Sequence, residues 1–167
     1  MKKIFILTIL SISSIAYAED GVYLGISGGL GTYNTLSSSN NWSVFNDSFG
    51  ARVNFGDKID SYFGAEIGYS LPDISNNNNY NLDVLLQLYQ HTSSNWDFVY
   101  AIGPYYNNFV SGVGVALSFG TNYYFQKNVA WTINDYLYIN PNVQGNYGSL
   151  SPYILNNMLL TGLRFEF

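Results

Sequence analysis

One histidine, a few scattered ions and many hydroxyls are the chemically versatile groups of this chain. His91-Thr92-Ser93 sets an imidazole beside two hydroxyls, which are two parts of a base-assisted nucleophile. The third part, a carboxylate that orients the base, is not evident beside them. A lone histidine cannot build a histidine cluster, and with no cysteine there is neither a thiolate metal site nor a disulfide. No Asp-x-Asp-x-Asp ladder marks a calcium loop, so neither metal nor cofactor is expected. The remaining candidates are ions of both signs, Arg52, Glu66, Asp83, Arg164 and Glu166. What they can do depends on the elements that carry them.

Charged residues are 10% of the chain and aromatics 18%, with 16 tyrosines. An ordinary soluble domain has about 25% charged residues. Mean hydropathy is nevertheless near zero, because Asn, Ser and Gly dilute the apolar residues. This balance suits an outer face that meets lipid and ends that meet water. The start, MKKIFILTILSISSIAYAED, has a basic Lys2-Lys3, an apolar stretch from Ile4 to Ile15 and the small-x-small pattern Ala16-Tyr17-Ala18. It reads as a secretory leader over residues 1–18, leaving a single domain over 19–167. A membrane helix would need about 20 apolar residues, and this stretch breaks up at Ser11, Ser13 and Ser14. Removing the two leader lysines leaves four cations against eleven acids, which argues against nucleic acid as a partner.

Beyond the leader, segments of period two recur between Gly, Asn, Asp, Ser and Pro clusters. In residues 21–34, Val22, Leu24, Ile26 and Leu30 share one face and Gly25, Ser27, Gly29 and Gly31 the other. The same division recurs in segments 48–55, 61–71, 80–90, 96–106, 112–125, 129–140 and about 152–167. No further stretch reaches 18 apolar residues, so a chain that enters lipid must do so as a closed barrel. Eight strands of about ten residues have the required length. The polar face is mostly Gly, Ser, Ala and Asn, which fit a narrow lumen and decorate a wet surface poorly. The sequence therefore predicts an all-β fold, an eight-stranded antiparallel up-and-down transmembrane barrel.

The connections GDKID, HTSSN and QKN are short, whereas residues 35–47, 72–79 and 141–151 are longer and rich in Asn and Ser, the connection near Asn107 to Ser111 being an exception. Short turns on one side and long loops on the other is the outer-membrane pattern. Aromatics gather at both strand ends. Phe55, Phe63, Trp96, Phe125, Trp131 and Phe165 are expected at the periplasmic end, and Tyr33, Tyr69, Tyr80, Tyr106, Tyr138 and Tyr153 at the outer end.

The segments VYLGISGG, SYFGAEIGYS and TGLRFEF give the mature chain a resemblance to the small eight-stranded outer-membrane barrels, the OmpA-transmembrane-like and OmpX-like group of the porin families. The resemblance implies a Gram-negative outer-membrane location facing lipopolysaccharide. It also makes Leu163, Phe165 and Phe167 an insertion signal read by the barrel-assembly machinery. The chain stops where an OmpA-type protein would continue, so no peptidoglycan-binding domain is expected. Some small barrels act on lipid A, and the deacylase family carries a His-x-Ser pair with a Glu about a dozen residues later. His91 and Ser93 match, but residues 103–107 hold no acid, and the pair falls in a periplasmic turn, away from that substrate. His91 is thus expected to be a solvated turn residue, and the protein not an enzyme.

Arg52 toward lipid would cost about 2–4 kcal/mol at the midplane, so it should point inward. A tight hairpin at GDKID would set Arg52 roughly opposite Glu66, with Asp83 within diagonal reach and Arg164 and Glu166 also inward. This lumenal ion network is read as a plug that keeps its charges paired, with a narrow pore as the alternative. Asp135 breaks the pattern, since the apolar phase of VAWTINDYLYIN would carry it to lipid. A bulge near Asn134–Asp135 would turn it inward and Tyr136 and Tyr138 outward. Trp42, Phe45, Asn76 and Asn79 are the candidate loop contacts to a host molecule or lipopolysaccharide.

Overall fold

The computed structural model describes residues 21–33, 46–75, 79–108, 112–140 and 153–167. The leader, Trp42, Phe45, Asn76 and most of the three long loops lie outside the described residues. Eight strands run in chain order: β1 (Val22–Tyr33), β2 (Asn46–Lys58), β3 (Phe63–Leu71), β4 (Asn81–Ser93), β5 (Trp96–Asn107), β6 (Gly112–Gln126), β7 (Val129–Asn140) and β8 (Tyr153–Glu166). Each pairs antiparallel with its chain neighbours, and β8 returns to β1, which closes the sheet into a barrel. Among the described residues there is no helix. Closure pairs every strand on both sides, the requirement for backbone placed in lipid.

The alternation of side chains decides which way the sheet curls. On β4, Asn81, Asp83, Leu85, Gln87 and Tyr89 are buried, while Leu82, Val84, Leu86 and Leu88 are exposed. The outward set around the wall is apolar: Ile26, Val53, Ile67, Leu86, Ile102, Phe119 and Leu163 are all more than 40% exposed. The buried set is mostly polar or aromatic, with Leu85, Val99, Met158, Leu160 and a few alanines among it. A water-soluble barrel would be the reverse, so this is the oil-outside arrangement of a membrane barrel.

Strands extend further into the short connections than their composition suggests. Gly56, Asp57 and Lys58 belong to β2, His91 to Ser93 to β4, and Gln126 to β6. The β2–β3 turn is therefore Ile59 to Tyr62 rather than GDKID. Asp60 holds it, its Oδ1 accepting from the backbone N–H groups of Tyr62 and Phe63 at 2.7 Å each. Moving the turn moves the register. Arg52 stands opposite Ser70, and Glu66 opposite Gly56, so the two are not cross-strand partners as expected.

The bulge expected near Asn134–Asp135 is absent. β6–β7 pairing is continuous from Val115↔Ile139 to Tyr124↔Ala130, and the β7–β8 irregularity lies between Tyr138 and Ile139. Asp135 consequently faces outward and is exposed, and Tyr136 and Tyr138 are buried in the lumen. The physical reason is the lumen's demand. Both tyrosines engage Arg52, and a bulge would remove them from it. Tyr138 accordingly takes no place in the outer aromatic girdle.

Candidate functional site: the filled lumen

Two layers of ions and tyrosines cross the barrel interior. The first is built on Arg52, 1% exposed. Its Nη2 donates to Glu66 Oε1 at 2.7 Å and Asp83 Oδ1 at 2.7 Å, and its Nη1 to Asp83 Oδ2 at 2.6 Å. Asp83 is therefore held bidentately, the strongest geometry available to a guanidinium. The offset in register is bridged by reach, because the guanidinium passes over Gly68, the residue opposite Asp83. A Cβ at Gly68 would overlap its atoms, so β3 needs glycine there. Tyr136 lies under the cation, 4.3 Å from ring centre to guanidinium carbon. The Tyr138 hydroxyl sits 3.0 Å from Arg52 Nη1 and 3.0 Å from Asp83 Oδ2.

Glu66, 3% exposed, joins this layer to the next. Its Oε2 accepts from Tyr23 Oη at 2.7 Å, Asn54 Nδ2 at 2.6 Å and Gln87 Nε2 at 3.0 Å. The Tyr23 ring occupies the space that a side chain at Gly56 would fill. The second layer is built on Arg164, 3% exposed, whose guanidinium carbon stacks 3.4 Å from the Tyr23 ring centre. Its Nη1 donates to Tyr89 Oη at 2.9 Å, and its Nε lies 2.9 Å from Glu66's counterpart here, Glu166 Oε1. That last contact is an ion pair without hydrogen-bond alignment. Tyr124 Oη also donates to Glu166, at 2.8 Å.

All five ions named from the sequence thus face the lumen, in two groups: Arg52 with Glu66 and Asp83, and Arg164 with Glu166. The aromatic and amide members, Tyr23, Asn54, Gln87, Tyr89, Tyr136 and Tyr138, were missed. Their signal was weak, since tyrosine serves a lumen or a lipid interface equally well. Between the layers is a cavity of about 20 Å³ lined in part by Glu66, Gln87, Asn122 and Arg164, room for a water or two. At the end of the short turns the lumen widens into an open vestibule of about 640 Å³ lined by Lys58, His91, Asp97, Tyr124, Lys127 and Glu166.

His91 is more constrained than a solvated turn residue. It stands near the end of β4 opposite Asp97, an acid the sequence reading overlooked. Its Nδ1 is 2.5 Å from Asp97 Oδ1, and its Nε2 is 2.5 Å from the Ser61 carbonyl oxygen. The imidazole has a carboxylate behind it but a backbone carbonyl, not a hydroxyl, in front. Ser93 Oγ instead accepts from Asn95 N–H at 3.4 Å. The arrangement anchors the β2–β3 turn and holds no aligned nucleophile.

Asn79 is not a loop contact. It is 7% exposed and its Oδ1 accepts from Asn107 Nδ2 at 3.1 Å, within a group of buried asparagines that includes Asn81 and Asn156. Amides at the loop end of a narrow lumen find partners more readily in each other than in a loop surface. Leu163 and Phe167 are exposed on the outer wall, with Phe165 between them partly covered. Phe167 N–H donates to the Val22 carbonyl at 2.9 Å, so the strand pairing continues to that residue.

No protein-family model matches the sequence, and no curated protein matches it either. Solved structures do match by shape. Neisserial surface protein A aligns with a TM-score of 0.63 at 14% identity, covering 88% of this chain and 97% of that one. The fold is that of the small eight-stranded outer-membrane barrels. Ail of Yersinia pestis, solved with the heparin analogue sucrose octasulfate, aligns at 0.53 and 8% identity over 88% of this chain and 99% of that one. A de novo designed transmembrane β-barrel aligns at 0.53 and 15% identity over 88% and 96%. That a designed chain shares the shape fits a fold set by pattern and register more than by particular residues.

Proposed function

We propose that this chain is a non-enzymatic barrel of the Gram-negative outer membrane, exported by its leader and closed along its axis by its own side chains. The observation that carries the reading is the pair of layers: Arg52 is bonded across the lumen to Glu66, Asp83 and Tyr138, and Arg164 is bonded across it to Tyr89 and ion-paired with Glu166 on its own strand. A channel would leave such groups to water. Here the carboxylates and most of the facing hydroxyls find their partners in one another, so the layers act as a strut that fixes the barrel's cross-section. Leu163, Phe165 and Phe167 complete the lipid-facing belt and present the insertion signal to the assembly machinery. The long loops, with Trp42, Phe45 and Asn76, then face outward to lipopolysaccharide or a host molecule. Those loops contain no Lys or Arg. A polyanion such as the sulfated sugar held by Ail is a poor match, and a neutral, hydroxyl-rich ligand a better one.

Planar-bilayer recording tests the closed lumen. Purified protein is expected to give no steady single-channel conductance. Steady conductance abolished or altered by Arg52→Ala would establish the narrow pore instead and place its path beside Arg52.

A further inference from the structure

The outward wall carries a mid-strand acid that lipid does not explain. Asp135 is six residues from Val129 and five from Asn140, at the middle of β7, and its side chain is exposed toward the membrane. Its register neighbours are the lipid-facing Phe119 and Leu159, 52% and 49% exposed. On β2 to β5, outward positions near mid-strand hold Val53, Ile67, Leu86 and Ile102. Asp135 accepts from Asn157 Nδ2 at 3.0 Å. Among the described residues no donor reaches its second oxygen, and Asn157 Nδ2 has a second hydrogen to give. The same side of the barrel holds Thr161, which accepts from Trp131 Nε1 at 2.7 Å. A charged side chain at this depth normally marks a contact, because acyl chains offer it nothing.

We propose that the β7–β8 wall is an interface with a second copy of this chain inside the membrane. The patch is complementary to itself. A two-fold axis along the membrane normal, passing beside the Asp135–Asn157 bond, lets each Asn157 keep its bond to its own Asp135. Its free N–H then meets the open carboxylate oxygen of the other copy. Such an isologous contact supplies both copies with the same missing partner. Phe119, Ile133 and Leu159 surround the polar centre and give the two walls apolar surface to pack. Phospholipid headgroups have donors but lie at the membrane surface, too far from mid-strand. The inference needs only the outward face to meet lipid, and it is independent of whether the lumen conducts.

The chain has no cysteine, so single-cysteine reporters are clean. Leu159→Cys marks the proposed interface, and Val84→Cys marks β4 on the far wall. In dilute phosphatidylcholine proteoliposomes under mild oxidation, Leu159→Cys is expected to form a disulfide-linked dimer and Val84→Cys to remain monomeric. Adding Asp135→Leu, or separately Asn157→Leu, to Leu159→Cys should lower the dimer fraction about fivefold. Folding of every variant is read from the unboiled-gel shift that closed barrels show. Equal cross-linking from both walls, or dimer unaffected by both substitutions in folded protein, overturns the proposal. So does a cross-link from Leu159→Cys to a different protein in cell envelopes without any homodimer.

Discussion

Arg52→Met deletes the central cation of the lumen while keeping a side chain of comparable length. The two carboxylates it served do not suffer equally. Glu66 retains Tyr23, Asn54 and Gln87, at 2.7, 2.6 and 3.0 Å. Asp83 retains only the Tyr138 hydroxyl at 3.0 Å among the described residues. Removing one partner of a buried ion pair costs about 3–5 kcal/mol. Hydrogen bonds to a charged group are worth about 1.5–3 kcal/mol each. Asp83 loses two such bonds and Glu66 one, so most of the penalty should sit on Asp83. Adding Asp83→Asn to Arg52→Met should then recover about 2 kcal/mol, and adding Glu66→Gln well under about 1 kcal/mol. Urea unfolding from lipid vesicles, followed by fluorescence of the three tryptophans, measures each variant. Recovery that is equal for the two second substitutions, or larger for Glu66→Gln, would refute the argument from residual donors.

Two further outcomes follow from the geometry. Gly68→Val should destabilise by about 1–3 kcal/mol through overlap with the Arg52 guanidinium, and in the Arg52→Met background the cost should shrink, a coupling that a double-mutant unfolding cycle reads directly. Asp60→Ala removes two turn hydrogen bonds and should cost about 1–2 kcal/mol in the same unfolding assay while leaving the closed lumen non-conducting.

The inward or outward phase of almost every strand was legible, because a period of two survives any shift along the strand that preserves parity. Register was not. It depends on where a turn begins, and GDKID looks like a turn by composition although Gly56 to Lys58 continue β2. What fixes the turn is the Asp60 side chain, a local geometry that residue type alone does not announce. Asp135 shows the second limit. Its hydropathy argued for the lumen, but the lumen is filled by competition, and Tyr136 and Tyr138 win through their contacts with Arg52 and Asp83. Asn79 shows a third: an asparagine beside a polar loop is indistinguishable by sequence from one bonded inside the mouth. Glycine carried more information than its abundance suggested, since Gly56 and Gly68 each sit where a large inward side chain crosses.

The pairing of β1 with β8, from Tyr23↔Glu166 to Tyr33↔Asn156, differs in kind from the other seams. Every other seam is a hairpin between sequence neighbours, whereas this one joins distant parts of the chain. Were the two segments to meet as free coil, the chain-entropy penalty would exceed that of a short hairpin by roughly 3 kcal/mol. A zippering order in which the hairpins form first and the seam seals last avoids most of that penalty. Until sealing, two strands would show a full row of open amides and carbonyls, each able to recruit a foreign strand. Whatever escorts the nascent sheet must therefore shield two edges at once and let them go together.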